Sequence, residues 1–122
     1  MNIQKVIISQ SNRVLTQLVS QIAKELPSVI CNVKEQIVHN TPIVCASFLK
    51  SSEADTVDLC VEIQTGTKYM TVSADLVVGG SGKILSEMTA VMIRKNTEIE
   101  GAMRVLEEYV QNQIDTIAAE LN

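Results

Sequence analysis

The sequence predicts an α+β two-layer sandwich, and three observations carry that prediction. A long apolar stripe at helical spacing closes the chain. Two clean period-two strands joined by a tight turn occupy its middle. A shorter helical stripe stands near its start. The order of helix, run of strands, then helix is that of a sheet covered on one face by helices. With 122 residues, 46% of them hydrophobic and 20% charged, the chain is expected to form a single domain, residues 1–122, with its own core. Aromatics are limited to Phe48, Tyr69 and Tyr109, so that core must be aliphatic.

Val6-Ile7-Ile8 is an apolar patch that fits either a short strand or a first helical turn. Ser9 or Ser11 then fits the cap of a helix carrying Val14, Leu15, Leu18, Val19, Ile22 and Leu26 on one face. Leu26-Pro27 ends it, because the residue before a proline is pushed out of the α region.

Residues 28–40 read two ways. At period two, Val29, Cys31, Val33 and Ile37 share a face; at period 3.6, Leu26, Ile30, Val33 and Ile37 do. The Lys34-Glu35-Gln36 centre and the stop signal His39-Asn40-Thr41-Pro42 favour a second helix, so the N-terminal layer is expected as one helix or a helical pair.

The middle is a meander of about four antiparallel strands. Ile43 to Lys50 is the first, ending at the polar loop Ser51-Ser52-Glu53-Ala54-Asp55. Val57, Leu59, Val61 and Ile63 alternate with Asp58, Cys60, Glu62 and Gln64; Thr65-Gly66-Thr67 turns the chain; Met70, Val72, Ala74, Leu76 and Val78 return along the same face. Gly79-Gly80-Ser81-Gly82 is a second turn, and residues 83–94, compatible with both periods, are favoured as the next strand because a strand leads directly into the turn.

Thr97-Glu98-Ile99-Glu100 has the form of a capping box. Behind it Ile99, Met103, Leu106, Val110, Ile114, Ile117 and Leu121 recur at steps of three and four, one face of a long C-terminal amphipathic helix packed on the sheet. Twenty-five helical residues reach roughly 37 Å. Strands of eight residues span only about 27 Å, so Ile117, Ala118 and Leu121 are expected to overhang the sheet and to supply a dimer contact.

Charge is segregated. The chain carries a net −4, and Glu98 to Asn122 alone carries −5, with six carboxylates and the single cation Arg104. Glu98 and Glu100 suit a helix N-terminus. Glu107, Glu108, Asp115 and Glu120 lie beyond the first turn and are the candidate partner-binding residues, offering a negative field to a basic protein.

Several function classes find no support. Leu76 to Lys83 approaches a phosphate-binding loop, but Val77 stands at its first glycine and Ile84 at its metal-binding hydroxyl. Cys31 and His39 have no third orienting group, and the lone histidine is not a zinc site. Asp55, Asp58 and Glu62 read as a solvated strand face. No catalytic residue, cofactor or metal is therefore assigned. Scarce aromatics and a pI near 4.9 disfavour nucleic acid as a partner. Ile3 to Ile8 is too short to span a membrane, and the Met1 start lacks a secretory signal pattern. Cys31, Cys45 and Cys60 are widely spaced, so three free thiols in a reducing cytoplasm are expected.

The expected function is that of a small cytoplasmic, non-enzymatic module that binds a basic protein. An immunity- or antitoxin-type inhibitor, or a secretion chaperone, fits its size and acidity. A small-ligand binder or enzyme with a pocket between sheet and helices is the alternative, and a structural subunit of a homo-oligomer the third.

Overall fold

A computed structural model describes residues 2–51 and 55–122. The Met1 start and the Ser52-Glu53-Ala54 part of the expected loop lie outside the described residues. The elements are α1 (Ile3–Glu25), β1 (Ile30–Val38), β2 (Thr41–Leu49), β3 (Val57–Thr65), β4 (Met70–Val78), β5 (Lys83–Ile93), a 3₁₀ turn (Asn96–Glu98) and α2 (Ile99–Leu121). The five strands form one antiparallel sheet in sequence order, and both helices lie on one of its faces. This is the α+β two-layer sandwich with a long C-terminal helix on a meander.

α1 begins earlier than its expected caps. Asn2 is the N-cap, its side chain accepting from the Lys5 N–H at 3.2 Å. The apolar steps Ile3, Ile7, Leu15, Leu18 and Ile22 run through Ser11, which is buried in mid-helix rather than capping it. One polar residue interrupted the stripe, and so Val6 to Ile8 looked detachable from the helix behind it. Leu26 ends α1 ahead of Pro27 as expected, its N–H donating to the Ile22 carbonyl.

The expected second helix at 28–40 is instead β1, so the N-terminal layer is one helix and the sheet has five strands. The helical stripe would have buried Ile30 and Ile37, yet these are 64% and 74% exposed. Cys31 and Val33, on the period-two face, pack against the core. His39 and Asn40 both have positive φ, 51° and 64°, as the two central residues of a type I′ hairpin require. What read as a helix stop is a hairpin turn, and it sets β1 against β2 with Val38 opposite Thr41 and Ile30 opposite Leu49. Residues 83–93 form the strand favoured for them, with register shifts against β4 between Val72 and Ala74 and between Leu76 and Val77. Such bulges twist an edge strand and discourage edge-to-edge pairing.

The space between the layers is filled. Phe48, Leu59, Ile63, Leu76, Ile7, Leu15, Leu18, Ile22, Leu106 and Ile117 are all 0–1% exposed and belong to one core. Burying each such side chain stabilises the fold by roughly 1.5–3 kcal/mol before conformational entropy is counted. The helices run parallel, with Val6, Gln10 and Arg13 of α1 sharing a groove with Ile99, Met103 and Glu107 of α2. Gln4 reaches Thr65 at 3.2 Å and Asn12 reaches Glu35 at 2.7 Å, tying α1 to the β3–β4 turn and to β1.

α2 starts one step later than its sequence signature suggests. The Glu98 carboxylate accepts from the N–H groups of Arg94 at 2.8 Å and Lys95 at 3.2 Å, so it caps the 3₁₀ turn that leads into the helix. No overhang follows at the other end. Ile117 and Leu121 are 0% and 4% exposed within the chain's own core, and Ala118 is half-buried. Nine-residue strands and a second helix of equal length beside α2 supply the cover that shorter strands lacked. These three residues leave little surface for a dimer contact. No helix among the described residues is long and apolar enough to cross a membrane.

Candidate functional site

The alternation that buries one face of each strand necessarily builds the other, and among the described residues no helix or strand covers it. The register aligns its side chains in rows. Ile43 stands opposite Glu62 and Glu62 opposite Ser73; Cys45 stands opposite Cys60, Cys60 opposite Asp75 and Asp75 opposite Glu87. These rows form a shallow cleft of about 390 Å³ in the middle of the uncovered face.

Glu62, Asp75 and Glu87 come from β3, β4 and β5 and converge there. Asp75 and Glu87 are directly opposed, an arrangement that destabilises a sheet because like charges sit close together. The Asp75 carboxyl is held above its ordinary range, first by partial burial and then by the charges of Glu62 and Glu87. The two ion pairs among the described residues lie elsewhere, Arg13–Glu107 at 3.2 Å and Arg104–Glu100 at 3.4 Å. Nor are the three carboxylates arranged to ligate a metal; among the described residues no such group exists.

Cys45 and Cys60 are joined as a disulfide, Cα to Cα 4.1 Å, with Cys31 the free thiol. This overturns the expectation of three free thiols. Fifteen residues separate the pair in sequence, but the β2–β3 register sets them directly opposite, and opposed non-hydrogen-bonded residues approach most closely in antiparallel sheets. Cys31 faces the helices, half-buried, and burial pushes its thiol pKa up, which makes it a weak nucleophile. His39 sits at the far end of β1 in the hairpin turn, so Cys31 and His39 form no pair.

The acids chosen from sequence fall into separate environments. Glu107 turns toward α1 and pairs with Arg13. Glu108 and Asp115, seven residues apart and both exposed, share the outward ridge of α2. Glu120 is exposed in the last turn, outside that ridge. Asp55, Asp58 and Glu62 also part company. Asp58 accepts from the Thr56 hydroxyl at 3.0 Å, and Glu62 accepts from Gln64 at 2.9 Å. The site-forming partners of Glu62 are Asp75, which the sequence places outward, and Glu87, whose face it leaves open; neither is placed beside Glu62 by sequence alone. Only the register does that.

The Gly79–Gly82 segment is a hairpin turn leading into a strand. Gly82 has φ 71° and its N–H donates to the Val78 carbonyl at 2.8 Å. A phosphate-binding loop would open a helix here. Compared with protein-family models, curated proteins and solved structures, the chain matches none of them.

Proposed function

We propose that this protein is a non-enzymatic binding module for a basic protein partner. The observation that carries the reading is the surplus of unneutralised carboxylate on two surfaces. Fourteen acids face ten Lys and Arg, yet the described residues form two ion pairs. One surplus is the Glu108–Asp115 ridge of α2, the other the uncovered sheet face. Holding like charges together costs stability in the free protein, and a basic partner relieves that cost while its rate of encounter rises in the complementary field. A filled aliphatic core supports binding at a surface over an interior pocket. Within this reading an immunity- or antitoxin-type inhibitor is the specific proposal, because an enzyme that grips phosphates is basic and its inhibitor gains by being acidic. A secretion chaperone for a basic effector draws on the same surfaces.

Affinity capture of the tagged protein from its native cells, washed at low and high salt, tests the reading. One stoichiometric basic protein, released by salt, is the expected result. The same preparation tests the proposed cytoplasmic location. A disulfide persists in oxidising compartments and is reduced in the cytosol, so the Cys45–Cys60 bond weighs against that location: protein trapped with a thiol-blocking reagent should show one free thiol, Cys31, and three free thiols would instead support a cytoplasmic home.

A further inference from the structure

We infer that the docking surface is the uncovered sheet face, and that its occupant is a partner protein presenting an arginine, flanked by small apolar side chains, to the Glu62–Asp75–Glu87 cleft. The inference rests on the proposed function and names the surface and the chemistry of the partner.

Three observations select this face and this occupant. First, among the described residues nothing packs on this face: both helices lie against the opposite side. Second, apolar side chains border the acidic centre on the same face. Ile43, Leu49 and Val77 are half-buried around the centre, and Ile30, Ile84 and Met92 stand 64%, 53% and 40% exposed at the two edges. Scattered apolar residues on a surface mean little, but these lie on the one face that also gathers Glu62, Asp75 and Glu87, where a partner that neutralises the carboxylates covers them too. Third, charge decides between occupants. By register this face carries Asp58, Glu62, Asp75 and Glu87 against Lys34 alone. A second copy would bring like charges together, whereas a cationic partner neutralises them. Guanidinium suits the site better than ammonium. Its planar fork can engage two carboxylates from adjacent strands at once.

The ridge of α2 is the competing surface, and it lacks the apolar border and the convergence. Val105 is an exposed large apolar residue on that helix, and Glu108 and Asp115 stand about 10 Å apart along it.

The test titrates the isotope-labelled full chain with a soluble peptide of alternating arginine and alanine, and with its glutamine–alanine counterpart, at low salt. Saturable amide shifts should centre on Glu62, Asp75, Glu87 and Cys60 for the arginine peptide alone. The triple variant E62Q/D75N/E87Q should weaken binding by at least about tenfold, while E108Q/D115N/E120Q changes it by less than about twofold. Chemical shifts elsewhere in each variant report that the fold is kept. Shifts centred on α2, with the two variants exchanging effects, overturn the inference and leave the proposed function standing. Absence of saturable binding on either surface overturns both.

Discussion

Asp75 is the side chain on which the electrostatics of the sheet face turns. Its carboxyl pKa is raised by partial burial and by Glu62 and Glu87. A raised carboxyl pKa favours folding while the group is protonated; that contribution is complete below the unfolded-state pKa and is lost as pH rises through the folded one. D75N should therefore raise the thermal midpoint at pH 7. Its advantage over the parent should close as the pH falls through the raised Asp75 pKa, as parallel melts across acidic pH would show. Gly79 illustrates a steric constraint. Its N–H donates to the Thr56 carbonyl at 2.7 Å, and an added Cβ would fall on the Thr56 hydroxyl and within 3.0 Å of the Asp58 carboxylate. G79A should cost about 1–3 kcal/mol in urea unfolding. Ser11 runs the other way. Its hydroxyl is buried without a hydrogen-bond partner, and a buried unsatisfied hydroxyl is a penalty of about 1–3 kcal/mol. S11A should leave stability unchanged or raise it by about 1 kcal/mol on the same measurement. The sequence shows that Asp75 points away from the core, since it alternates with Ala74 and Leu76. Its neighbours Glu62 and Glu87, 13 and 12 residues away, become neighbours only through pairing.

Among the elements, β1 shows where pattern reading loses its footing. Both periods fit residues 28–40 because β1 is an edge strand. Ile30 and Val38, on the open face, and Ile37, beyond the cover of α1, are apolar without being buried, so hydrophobicity there does not report the core. β3 and β4, flanked on both sides, alternate cleanly and were readable at once. The His39-Asn40 turn carried the decisive signal, since two residues between extended runs favour a type I′ hairpin. Asparagine and histidine tolerate positive φ less well than glycine does. The double change H39N/N40G should accordingly stabilise the protein by about 1 kcal/mol, whereas N40V, with a β-branched side chain at φ 64°, should destabilise it by about 1–2 kcal/mol. α2 was legible at its buried face and misread at its end. The length of the sheet beneath it depends on the strand count, so the expected overhang disappeared when the fifth strand and α1 took their places.

At the scale of the whole molecule, one face of the sheet is sealed by helices and the other is left acidic, partly apolar and bare. The sequence made the net charge and its concentration near the C-terminus plain. It did not show that Glu107 is neutralised by Arg13, nor that strands 13 to 26 residues apart would gather a second acidic centre. This asymmetry is the basis of the proposed function, electrostatic capture of a basic protein. The most direct measurement is the association rate constant with the captured partner across a salt series, for the parent and for E62Q/D75N/E87Q. Steered association falls steeply with ionic strength because a Debye length of about 8 Å at physiological salt screens the approach. Electrostatic capture requires a steep fall for the parent and a shallower one for the variant, the two converging at high salt. A rate independent of salt, and equal in the two proteins, would contradict it.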